Sequence, residues 1–137
     1  MKCLTVVFVV CLAFSACFAQ SSEGFRTCSE KAKTQKDMTV CANEEAARAD
    51  AELNDVYRKL LSRVMSQPDV AEKIRASERA WIVYRDAYIE AMYPAKDKQA
   101  EYGSSYPMQV NLVRAKLTQQ QIVALKDLLQ QYSEGQR

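Results

Sequence analysis

Apolar positions recur every three or four residues along most of the chain, and that spacing predicts helices rather than strands. Ala46, Ala49, Leu53, Val56, Leu60 and Val64 form one such face, in a segment rich in strong helix formers. Glu44 with Arg48, and Asp55 with Lys59, stand there at the spacing of supporting ion pairs. Asp37 or Thr39 is the predicted start of this helix. Ser66-Gln67-Pro68-Asp69 interrupts the period, and Pro68 suits a first helical position. A second stripe follows through Val70, Ile74, Ser77, Trp81, Tyr84, Tyr88 and Ala91, ending before Pro94. Two long helices joined by a short turn predict an antiparallel hairpin.

From Tyr93 to Pro107 the chain is turn-rich and predicts a loop that includes Gly103-Ser104-Ser105-Tyr106-Pro107. Val110, Val113 and Leu117 then make a short apolar stripe. Thr118, with Gln121 three residues on, predicts an N-cap opening a last helix that turns Ile122, Leu125, Leu129 and Tyr132 inward. Alternating runs of Val, Ile and Thr are missing, so strands have little support. The predicted fold class is all-α: a small helical bundle of four to five helices with one disulfide.

The N-terminus breaks this pattern. Sixteen of the first 19 residues are apolar or Cys, and Lys2 is the one charge among them. A positive start, an apolar run from Leu4 to Phe14 and small residues at Ala16 and Ala19 predict a secretory signal peptide over residues 1–19. Residues 20–137 would then form a single domain. Two processing sites compete. Cleavage after Ala19 gives a periplasmic or secreted protein, whereas Ala13-Phe14-Ser15-Ala16-Cys17 is a loose lipobox that would lipidate Cys17 and anchor the protein to a bacterial envelope. Phe14, where lipoproteins usually carry Leu, favours the Ala19 site.

Of five cysteines, Cys28 and Cys41 lie beyond that leader. An even pair in an oxidising compartment predicts a disulfide clamping a short N-terminal segment to the following helix. Taking Lys2 from the 19 basic residues leaves 18 against 17 acidic ones, too balanced for a general nucleic-acid or membrane-surface binder. A membrane role follows only from lipid on Cys17. His is absent, which excludes imidazole acid–base catalysis, Ser-His and Cys-His nucleophile pairs and His-ligated metals. No catalytic set, metal site or cofactor loop is predicted.

The densest local feature runs from Ser77 to Tyr88. Its Trp81, Tyr84 and Arg85 are residue types enriched at interaction hot spots, although the favoured reading is structural: Trp81 and Tyr84 in the core, capped by Arg85 through stacking or a salt bridge. Tyr84, Arg85 and the Ser104-Ser105-Tyr106 stretch are nonetheless candidate partner contacts.

The order Cys28, Thr39-Val40-Cys41, Leu53-Asn54-Asp55-Val56-Tyr57, then Arg79-Ala80-Trp81-Ile82-Val83-Tyr84-Arg85-Asp86, Gly103-Ser104 and Leu117-Thr118 resembles the LprI-type lysozyme-inhibitor family. The resemblance implies a non-enzymatic exported protein whose partner is a lysozyme. It makes Leu53, Asn54, Tyr57, Trp81 and Asp86 motif positions expected to hold the fold. The same surfaces would equally serve an interaction or immunity module with a different protein partner. Members usually carry two further cysteines; here Tyr88 or Ile89 and Val113 stand in their places, which predicts apolar packing instead. The Arg usual three residues after the Thr of the last helix is Gln121.

Overall fold

A computed structural model describes residues 22–134. The described chain forms α1 (Glu23–Lys31), α2 (Gln35–Arg63), α3 (Pro68–Met92), α4 (Lys98–Tyr102), a 3-10 turn at Gly103–Ser105, and α5 (Tyr106–Glu134). The fold is all-α, as the periodicity predicts. The predicted leader and Cys17 lie outside the described residues.

α2 and α5 are 29 residues each, so both are about 43 Å long. They run parallel. Gln35 at the start of α2 reaches Met108 near the start of α5, Glu52 pairs with Lys126 at 2.7 Å, and Arg63 donates to the Tyr132 and Ser133 carbonyls at the far end. α2 and α5 pack directly on each other, and α3, between them in sequence, returns antiparallel alongside, giving the α2–α3 hairpin expected from the Ser66–Asp69 break.

Each end has a chemical cause. α2 starts earlier than the Asp37 or Thr39 of the sequence reading: Thr34 is the N-cap, and Asp37 is its capping-box partner at the third helical position. The Thr34 hydroxyl accepts from the Asp37 amide at 3.1 Å, and the Asp37 carboxylate accepts from the Thr34 amide at 3.0 Å. That hydroxyl and the Lys33 amide hold the Asp37 carboxyl below its usual range. Pro68 occupies the first turn of α3, as predicted. Asp55 pairs with Lys59 at 2.7 Å as expected, but Arg48 takes Glu45, at 2.6 Å, rather than Glu44. Glu45 is buried and also accepts from the Ser22 hydroxyl, so it ties α1 to α2.

The turn-rich stretch is mostly helix. Asp97 caps α4 by accepting from the Ala100 amide at 2.9 Å, and Gly103, at φ +69, makes the left-handed bend into the 3-10 turn. Tyr93 meets Tyr102 and Tyr106 edge-on at 5.2 and 5.3 Å, and the latter two stack at 5.7 Å. This aromatic cluster packs with Ile89, Leu117, Val110 and Val113, so Ile89 and Val113 share one apolar contact region, as the missing cysteines predict.

The predicted helix start at Thr118 is overturned. α5 is continuous from Tyr106, with Pro107 in its first turn, and Thr118 is completely buried mid-helix. Within a continuous helix the amides of the following turn are bonded to backbone carbonyls, so the Thr118 hydroxyl caps nothing and donates to Asp50 on α2 at 3.3 Å. The main core is Leu53, Val56, Leu60, Val64, Ala71, Ile74, Ile122 and Leu125.

The predicted disulfide joins Cys28 of α1 to Cys41 of α2. α1 buries none of its residues, so this bond and Glu45 hold it. Replacing both cysteines by Ala is expected to remove at most about 3 kcal/mol, the chain-entropy value for so short a loop. Amide exchange should accelerate over residues 23–31 and stay slow in α2 and α5. Leu60→Ala, at a site with no exposure, should instead cost about 2–5 kcal/mol globally in denaturant melts.

Candidate partner-binding surface

α3 faces the core through Ala71, Ile74, Glu78 and Ile89, with Trp81 and Arg85 partly covered on the same side. The predicted stripe is thus rotated: Ser77, Tyr84, Tyr88 and Ala91 are exposed. The reason is polar. Hydropathy places charges outward, yet here Glu78 and Arg85 find partners on the neighbouring helices and turn inward.

The Arg85 guanidinium lies 5.1 Å over the Trp81 ring, donates from Nε to Asp86 at 2.9 Å, and stands 4.0 Å from Asp50. Only 16% of its side chain is exposed. Asp50 in turn accepts from Thr118, so α2, α3 and α5 meet at one charged junction. One turn away, Gln121 of α5 donates to Glu78 Oε2 at 2.8 Å, while Glu78 Oε1 is buried with no partner. Burial raises the Glu78 carboxyl above its usual range; the Gln121 amide and the Arg85 charge pull the other way without cancelling it.

Two hollows flank this layer. An open groove of about 450 Å³ between α3 and the first half of α5 is lined by Asp50, Arg85, Asp86, Glu90, Tyr106 and Arg114, among others. A smaller, more apolar hollow of about 240 Å³ lies between α2 and α3, with Leu53, Asn54, Tyr57 and Ile82 on its walls and Glu78, Arg75 and Arg79 beside them. Among the described residues no group of three acidic or Cys side chains is placed to hold a metal ion.

The structure brings Trp81, Arg85, Asp86 and Tyr106 to one region but leaves Tyr84 and Ser104 outside it. Tyr84 is 55% exposed and packs on Tyr88. Ser104 is exposed, whereas Ser105 donates to the Tyr102 carbonyl and accepts from Gln109. Tyr106 is anchored in the aromatic cluster rather than held on a loop tip. Leu53 is core, Tyr57 packs against that core, and Asn54 donates to the Asp50 carbonyl at 2.9 Å. Asp50, Arg114 and the Gln121 contact were not singled out from sequence. The seven-residue spacing of Glu78 and Arg85 on the line of Ala71, Ile74 and Ile89 was the available signal for an inward charged pair.

A family model described as lysozyme inhibitor LprI matches residues 28–125, a span that runs from the first disulfide cysteine into the last helix and includes every part of the charged junction. The chain belongs to the LprI family. Uncharacterized protein R02472 of Rhizobium meliloti (strain 1021) is 33% identical over 111 residues, 73% of this chain and 77% of that protein. No solved structure matches. In this LprI chain the polar layer of Glu78, Gln121, Arg85 and Asp50 lies wholly within the matched span.

Because the folded state holds the Glu78 proton more tightly than the unfolded chain, its contribution to stability is full below the unfolded value near 4.5 and is lost as pH rises through the higher folded value. Thermal melts of the wild type should therefore lose stability across that window relative to Glu78→Gln, whose profile flattens. Gln121→Arg, which supplies a counter-charge, should remove the same slope.

Proposed function

We propose that this protein is exported to the bacterial envelope, where it binds and inhibits lysozyme-type muramidases and so protects peptidoglycan. The observation that carries this reading is the LprI lysozyme-inhibitor match over residues 28–125. Two features support it: the leader-like residues 1–19, and a Cys28–Cys41 disulfide suited to an oxidising compartment. Retention by lipid on Cys17 is the alternative to release after Ala19.

The inhibitory surface in this reading is the groove between α3 and α5. Muramidases work with a pair of carboxylates flanking the scissile bond. The rim mixes charges: Asp86 and Asp50 engage Arg85, whereas Arg114 bonds only Asn111 among the described residues and is the cation offered to such a pair, while the bundle behind it blocks access by sugar chains. Rigid helices suit this task because little side-chain or backbone freedom is lost on docking.

Titrating the purified protein into a muramidase digesting peptidoglycan should reduce turnover in a dose-dependent way. Arg114→Ala should weaken inhibition by about tenfold or more, the usual consequence of truncating one side of a desolvated charge pair. Far-UV circular dichroism should remain unchanged. Arg85→Ala should lose inhibition together with stability, since that side chain also covers Trp81. Unimpeded turnover at excess protein would refute the reading and favour a different protein partner. Loss of inhibition in Ser104→Ala or Tyr84→Ala, with Arg114→Ala unaffected, would place the contact elsewhere on the molecule.

A further inference from the structure

α3 carries a second, largely apolar face that the described residues leave bare. Opposite the inward side, Ala76, Ser77, Ala80, Val83, Tyr84, Ala87, Tyr88 and Ala91 are all exposed, and none is charged. Val83 is 69% exposed. A solvated helix face normally carries charge, as α2 does with Glu44, Arg58 and Lys59. Within the bare face Ala76, Ala80, Val83 and Ala87 are spaced four, three and four apart, the seam spacing of a coiled coil. Small side chains at three of the four positions permit close approach of two helix axes.

The charges bordering this seam identify what fits it. An antiparallel second copy of α3 that sets Ala80 against Val83 also sets Ala76 against Ala87. The same register continues outward to place Lys73 opposite Glu90 of the second copy. On one flank it brings Arg79 beside Asp86 of the second copy, and on the other Ser77 beside Tyr84. Twofold symmetry repeats each contact, so every charged pair in this register is of opposite sign. A parallel in-register pairing would instead set Lys73 against Lys73 and Glu90 against Glu90. Within one chain Arg79 bonds Glu72 at 2.9 Å, Asp86 bonds Arg85 at 2.9 Å and Glu90 bonds Lys98 at 2.8 Å. Arg79 and Glu72 are both more than half exposed and exchange partners at small cost, while Asp86 and Glu90, also more than half exposed, each use one carboxylate oxygen within the chain and keep the other for a contact across the twofold.

From these observations we infer that the outer face of α3 is a self-association surface, on which two copies of this chain pack α3 against α3, antiparallel, about a twofold axis near Trp81 and Ile82. A single helix pair lies at or below the roughly 1,200 Å² low end of stable interfaces, so the dimer is reversible, with a dissociation constant in the micromolar range. Arg114 lies outside this surface, Asp86 and Glu90 border both it and the groove, and its test does not involve a muramidase.

The test is sedimentation velocity on the chain from Gln20 onward, which includes every described element, at concentrations bracketing the micromolar range. A concentration-dependent shift from monomer to dimer is expected. Ala80→Glu places two like charges in the seam and should abolish the shift, with circular dichroism unchanged because the site is exposed. Arg79→Asp and Asp86→Arg should each weaken association by about tenfold. The double variant Arg79→Asp/Asp86→Arg, which restores opposite signs across the twofold, should return it to within about threefold of wild type. A monomer at every concentration overturns the inference, as does a dimer indifferent to Ala80→Glu. Failure of the charge-swapped double variant to recover overturns the antiparallel register.

Discussion

Ala46 and Ala49 of α2 meet Ala115 of α5 in a seam built from methyl groups, with Thr118 buried alongside. This contact is what allows two long helices to lie parallel and close over much of their length. Parallel neighbours cannot be joined by a short turn, so the chain must return, and α3 is that return. Below the seam the side chains enlarge to Leu53, Val56, Leu60, Ile122 and Leu125, against which Ile74 and Trp81 of α3 pack. A larger residue at Ala46, Ala49 or Ala115 would separate α2 from α5 and take Asp50 away from Thr118.

The polar junction depends on that geometry. Thr118 can bond Asp50 only where the backbones approach, and Asp50 can stand beside Arg85 only because α3 crosses at the same level. Buried polar groups of this kind contribute orientation more than net stability, since desolvation offsets much of what the contacts return. The unpartnered Glu78 oxygen shows the imbalance directly: Gln121 supplies one hydrogen bond where a cation would have supplied charge as well. At the other end of α3 the balance is apolar. Ile89, Val113 and three tyrosines pack that helix end, Lys98 donates to Glu90 and to the Tyr93 carbonyl, and Tyr102 and Tyr106, anchored on Tyr93, hold α4 and the 3-10 turn in place.

Helical content, the α2–α3 hairpin, the Cys28–Cys41 bond and the inward faces of α2 and the last turns of α5 are legible in the sequence. Periodicity reports each of them because in those segments the buried side is simply the apolar side. Thr118 misleads for a local reason: Thr followed by Gln three residues later satisfies a capping box wherever it occurs, and no local signal reveals that the preceding turn continues as helix. The 103–107 stretch misleads because Gly, Ser and Pro mark turns, and the tyrosine contacts that order it are distant in sequence from Tyr93. For α3, reading hydropathy alone turns Tyr84 and Tyr88 inward and Arg85 outward.

By itself, the sequence determined the helical class, the α2–α3 hairpin with its break, the cross-link and, through its ordered motifs, the family. These are consequences of residue spacing and composition within single segments. Tertiary structure alone decided that α2 and α5 run parallel, that Glu78 and Arg85 face inward, and that an uncharged side of α3 remains bare. The physical reason is the same in each case. A charged side chain turns inward when another helix provides a partner at the right height, and that height is set by how closely two distant segments pack.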